Sequence, residues 1–140
     1  MGDIYRFVDV YGLTENAVRL GHAQDVLALI DTGAGKTVIS SELADQLGGA
    51  SLMDIPIEGQ WVPSKLASIT LHDAAHCIEH PVIVAVSDRL IRRAGPGPDD
   101  EVVQVLLGHD YLQGTLRYKA RGDDVSCRPP ARPRRAAGRR

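Results

Sequence analysis

The chain has 140 residues, of which 44% are hydrophobic and only 4% aromatic, with a formal net charge of −2. This length and apolar content make one folded domain whose core rests on Val, Ile and Leu, and they exclude a wholly disordered chain. The charge is uneven: Arg128 to Arg140 holds six Arg and no acid, which leaves ten basic residues against 18 acids in residues 1–127, a body of about −8 with a basic end.

In chain order, Ile4 to Tyr11 is rich in aromatic and β-branched residues and reads as a strand, followed by a loop over Gly12 to Asn16. Ala17 to Leu20, then Gly21-His22-Ala23, then Val26 to Ile30 predicts a β-hairpin. Its second arm, Leu27-Ala28-Leu29-Ile30, is an apolar run that stops abruptly at Asp31. The small residues Thr32, Gly33 and Ala34 follow, and Thr37 to Ser40 reads as another strand. A strand that delivers one carboxylate into a turn of small residues holds it on rigid backbone and leaves room for a substrate chain to lie over it. Ser41 to Leu47 predicts a short helix, capped by Ser40 or Ser41 and stopped by Gly48-Gly49. Leu52 to Trp61 predicts a hairpin with Pro or Gly near its tip, and Trp61 reads as a flap or pocket aromatic or, preferably, a core residue. Lys65 to Leu71 and Cys77 to Val86 are strands joined by a turn at residues 72–74, with Pro81 marking an edge or bulge. Residues 92–100 read as a flexible loop, Val102 to Leu107 as an apolar strand, Tyr111 to Gln113 as a helical turn and Thr115 to Tyr118 as a last strand. The pattern predicts a mostly β, closed fold with one or two short helices over residues 1–121, and a disordered Arg/Pro-rich tail over 122–140.

Asp31-Thr32-Gly33-Ala34, followed by Thr37-Val38-Ile39, resembles the catalytic loop of the retropepsin-like (retroviral-type) aspartic proteases. The second signature of that family is an apolar pair, Gly, a polar residue, Asp or Asn, and then Leu. It stands here as Leu106-Leu107-Gly108-His109-Asp110-Tyr111-Leu112. The resemblance covers roughly residues 17–118. It implies a small closed β-barrel-like acid protease fold and an endopeptidase without metal or cofactor. One chain supplies one Asp, so the resemblance implies a homodimer in which two Asp31 residues share a proton and activate a water, since two carboxylates at short range cannot both ionise. It further implies that Thr32 joins the two loops and that Gly33 hydrogen-bonds the substrate backbone. Ala34, Gly35, Ile57, Gly59 and Leu107 are the expected substrate-binding residues. The family often has an acid after the Ala, paired with an Arg beside the second-motif Gly; Gly35 and His109 occupy those places, and His is a type that titrates near neutrality. With those departures and only Gly59 between Ala50 and Pro63 to supply a flap glycine, the alternative is a non-catalytic dimerisation or peptide-binding module of the same fold.

Other motifs point elsewhere and are outweighed. Gly33-Ala34-Gly35-Lys36-Thr37 imitates the end of a phosphate-binding loop, but Ile30 stands where its first Gly is needed, and Val38-Ile39 favours a strand over the required helix. His72, His76 and His80 with Cys77 would align on a helix, but their context is strand and turn, so a zinc site is not expected. The Arg-rich end could bind nucleic acid, but a solubilising terminus is the plainer reading, so the expected partners are a polypeptide substrate and a second copy. No apolar run is long enough to cross a membrane, and Met1 to Tyr5 carries no signal-peptide pattern. Cys77 and Cys127 read as free thiols in a reducing compartment, so a cytoplasmic location is expected.

Overall fold

The computed structural model describes residues 4–31, 33–73, 76–89, 102–115, 117–121 and 124–128. Twelve elements follow in order: β1 (Ile4–Leu13), β2 (Arg19–Ile30), β3 (Val38–Ile39), α1 (Ser41–Leu47), β4 (Ile55–Ile57), β5 (Gln60–Val62), β6 (Ser64–Asp73), β7 (His76–Val86), β8 (Val105–Leu107), α2 (His109–Thr115), β9 (Arg117–Arg121) and β10 (Asp124–Arg128). Six strands close into a barrel in the order β1-β2-β8-β3-β7-β6, which makes this a mostly β fold with two short helices. The 92–100 loop of the sequence reading lies outside the described residues.

The hairpin predicted within residues 17–30 is instead one long strand, β2, paired antiparallel with β1. The Gly21 that suggested a turn is there for a different reason. A Cβ on Gly21 would lie 2.4 Å from the Gln46 carbonyl oxygen, and one on Gly12 would lie 2.5 Å from that of Leu47. The two glycines let the last turn of α1 sit directly on the β1–β2 ribbon. The real turn lies at residues 14–18, where the Thr14 hydroxyl accepts from the Asn16 and Val18 amides and Ala17 takes a positive φ of 65°. Between Val8↔Val26 and Val10↔Ala23 the register slips, so Gln24 and Asp25 stand opposite Asp9 alone. The Asp9 carboxylate accepts from the displaced Asp25 amide at 2.9 Å, which satisfies the bulge. Such bulges bend a long strand, and bending is what a closed barrel of this size needs.

Helix α1 spans the predicted residues. Ser40 is its N-cap, its hydroxyl accepting from the Leu43 amide at 3.1 Å. Lys65 reaches over from β6 and donates to the carbonyls of Gly48 and Gly49 at the other end. Leu43, Ala44 and Leu47 of α1, with Tyr111 and Leu112 of α2, complete the core formed by the inward residues of the barrel strands. Pro81 lies in β7 opposite Ser68 of β6, at a level where β7 has no paired neighbour on its other side among the described residues, so its missing N–H costs no ladder bond. The strand expected over Thr115 to Tyr118 is β9, which begins at Arg117, and the β9–β10 hairpin carries regular structure to Arg128, beyond the expected domain end at residue 121.

Candidate active site

Strands β2 and β3 are joined by the Asp31 loop but are not neighbours. Strand β8 lies between them, parallel to β2 (Ile30↔Leu107) and antiparallel to β3 (Val38↔Leu106). The loop therefore straddles the end of β8, and the two sequence motifs meet there. The Asp31 amide donates to the Leu107 carbonyl at 3.0 Å, and the His109 amide donates to the Ala34 carbonyl at 2.7 Å. Thr37 is wholly buried; its hydroxyl accepts from the Gly108 amide at 3.0 Å and donates to Asp110 Oδ1 at 2.7 Å. Gly108 passes so close beneath the loop that a Cβ would stand 2.5 Å from the Lys36 carbonyl carbon and oxygen. The second motif needs Gly here because backbone lies against backbone.

This underpinning presents a half-exposed Asp31 at the mouth of the loop. Asp31 Oδ1 accepts from the Gly33 amide at 3.1 Å, and the Ala34 amide donates to the Asp31 carbonyl at 3.1 Å, so the carboxylate is fixed by its own turn. Gly33 and Gly35 are exposed, and Ala34 is half-buried. A Cβ on Gly35 would meet nothing within 4 Å, so packing does not demand glycine there. Thr32 lies outside the described residues. With Gly35 where an acid is expected, the acid–Arg tie expected from the resemblance cannot form; the two motifs are joined through the His109 backbone and the Thr37 hydroxyl. The other Asp110 oxygen is buried with no hydrogen-bond partner among the described residues.

Alternation along β2, β3 and β8 creates two apolar surfaces. Ala28, Ile30, Ile39, Val105 and Leu107 face the barrel core. Leu29, Val38 and Leu106 face the opposite side and are covered by Ile55 and Val62 of the β4–β5 hairpin, with Ile57 packed against them. Leu107, expected from the sequence to touch substrate, is thus fully enclosed within the barrel core, and Leu106 belongs to the side that the hairpin covers. Ile57 and Gly59 lie on the hairpin, whose tip, Glu58-Gly59, has φ of 49° and 81°. Two successive positive φ values are the signature of a two-residue turn that matches strand twist. Trp61, read from sequence as core, is 71% exposed, because it stands opposite Pro56 on the hairpin's outer face. The run Gly33 to Thr37 leads into strand β3 and not a helix, which removes the geometry of a phosphate loop. Among the described residues no group of His, Cys, Asp and Glu could hold a metal ion, and no helix is long and apolar enough to cross a membrane.

No family model and no curated protein matches the chain. Solved structures to which it is similar include EIAV protease complexed with the inhibitor HBY-793, at 19% identity and a TM-score of 0.43, over 81% of this chain and 88% of that one. A second is a retropepsin-like aspartic protease from Rickettsia conorii, at 17% identity and a TM-score of 0.43, over 89% of this chain and 87% of the other.

Proposed function

We propose that the protein is a retropepsin-like aspartic endopeptidase acting as a homodimer in the cytoplasm, without metal or cofactor. The observation that carries this reading is the meeting of two motifs far apart in sequence. The Gly108-His109-Asp110 segment lies directly beneath the Asp31 loop and leaves its carboxylate half-exposed. One loop offers one carboxylate, and hydrolysis needs a base to activate water and an acid to protonate the leaving amine. A second copy related by a two-fold axis supplies the other Asp31, and the pair holds a single proton between them. Water then attacks the scissile carbonyl carbon as one carboxylate takes a proton from the water, and the other gives its proton to the nitrogen as the C–N bond breaks and the amine leaves. Thr32 joins the loops, and the exposed backbone of Gly33 to Gly35 pairs with an extended polypeptide beneath the β4–β5 hairpin, with Ile57 and Gly59 above it.

The second reading, a peptide-binding or dimerisation module that cleaves little, is favoured by the absence of an acid–Arg tie between Gly35 and His109. Incubation with an unfolded protein between pH 4 and 7, the range over which carboxylates are commonly tuned, separates the two. Cleavage that Asp31→Asn abolishes, with folding unchanged, supports the peptidase. Equal cleavage by Asp31→Asn would remove Asp31 from the mechanism, and no cleavage by the native chain would favour the binding module.

A further inference from the structure

The β4–β5 hairpin is two-faced. Its inner residues, Ile55, Ile57 and Val62, pack onto the second apolar cluster. Its outer face carries Asp54, Pro56 and Trp61, with Glu58 at the tip, and all four are exposed. Pro56 and Trp61 are direct cross-strand partners, so an apolar shelf of a proline and the protein's single tryptophan stands between two carboxylates. Met53, 62% exposed, precedes this face. An exposed tryptophan flanked by acids suits a proline-rich strand bearing arginines, because the preformed polyproline helix docks on aromatic surface and guanidinium groups favour both aromatic faces and carboxylates.

A segment of that composition lies in the same chain. Residues 129–140 contain Pro129-Pro130-Ala131-Arg132-Pro133-Arg134-Arg135, with Arg139 and Arg140 beyond and no acid, against a body of about −8. Twelve residues from 129 to 140 reach up to about 40 Å when extended. That is roughly the diameter of a domain of this length. We propose that this segment docks on the outer face of the β4–β5 hairpin, its prolines against Trp61 and Pro56 and its arginines on Asp54 and Glu58. The site is separate from the Asp31 loop, and its occupation does not depend on the peptidase reading.

Trp61 is the only tryptophan, so its fluorescence reports this face directly. The full-length protein is compared with full-length R132Q/R134Q/R135Q and with D54N/E58Q. Docking predicts emission at shorter wavelength in the native chain than in either variant. It also predicts a return toward the exposed spectrum in high salt, since the contact is largely ionic. A synthetic peptide of residues 128–140, titrated into the arginine variant, should restore the shorter wavelength saturably; D54N/E58Q combined with the arginine variant should bind it several-fold more weakly. Three results would overturn the proposal. One is identical emission in all chains with no response to the peptide. Another is a spectrum that shifts with protein concentration in the arginine variant as in the native chain, which would mean that a second copy covers Trp61. The third is a segment that binds an oligonucleotide with Trp61 equally exposed before and after.

Discussion

Thr37 spends its one hydroxyl on two partners, Gly108 below it and Asp110 beside it, and both belong to the second motif. Thr37→Val keeps the shape but strands the buried Gly108 amide and removes one of two donors to Asp110 Oδ1, which keeps the Tyr111 amide at 2.7 Å. A loss of about 1–3 kcal/mol follows from one unsatisfied amide. Urea unfolding measures it, and Thr37→Ser, which keeps the hydroxyl, should lose much less. Gly108→Ala tests the close approach: a Cβ at 2.5 Å from the Lys36 carbonyl must push the Asp31 loop upward, at a cost of about 1–3 kcal/mol or more. Asp110→Asn tests the unpartnered oxygen. The amide keeps an acceptor for Thr37 and removes a carboxylate oxygen left without a donor among the described residues, so stability should hold or rise, whereas Asp110→Leu should fall. A clear drop in the Asn variant would mean that the second oxygen has a partner in the working protein. Of these contacts the sequence announces the types, through Asp-Thr-Gly and Leu-Leu-Gly, but not Thr37. A buried hydroxyl reads like any β-branched strand residue until its partners, some 70 positions away, are in place.

Helix α1 is the element most fully legible, because its signals are local: Ser40 before it, Glu42 in its first turn and Gly48 after it. What sequence does not display is its dependence on distant residues. Asp88, beyond the end of β7, accepts from the Ser41 hydroxyl at 2.6 Å and from its amide at 2.9 Å. The Ser41 hydroxyl first, and its amide second, hold the Asp88 carboxyl below its ordinary value of 3.8. A lowered folded-state pKa stabilises above the unfolded value and is lost as pH falls below about 3.8 through the folded one. Asp88 is exposed, so the contribution is modest. Asp88→Asn should lower the melting temperature slightly at pH 7 and lose little more on acidification; thermal scans at pH 7 and pH 3 should show the two proteins converging. An equal gap at both pH values would deny the carboxylate this role. The misread elements share a cause. Gly21 was a turn signal by type but a contact residue by position, and Trp61 was core by type but faces outward because strand alternation gives Ile55, Ile57 and Val62 the inner side.

At the scale of the molecule, a chain with one Asp31 carries half of the proposed site, so specific activity should rise with concentration as dimer forms. Sedimentation and cleavage measured across one dilution series check this; full specific activity in a monomeric sample would contradict a shared site. The closed barrel and its two motifs were legible because both are written as apolar runs ending in small residues, Ile30 before Asp31 and Leu107 before Gly108. The register of β8 was not, since no local feature says which strands it separates. That arrangement also sets the order of assembly. β2 and β3 leave a gap that only residues 105–107 fill, and these arrive roughly 75 positions after Ala28 and Ile30. Closing so long a loop costs about 4 kcal/mol in chain entropy. That cost must be met before the pairing repays it, so folding is slow for the chain's size. During synthesis, Asp31 leaves the ribosome long before the segment that holds its loop in shape. A nascent chain therefore carries the carboxylate without its support, and the site is finished only when residues 105–110 have also been made.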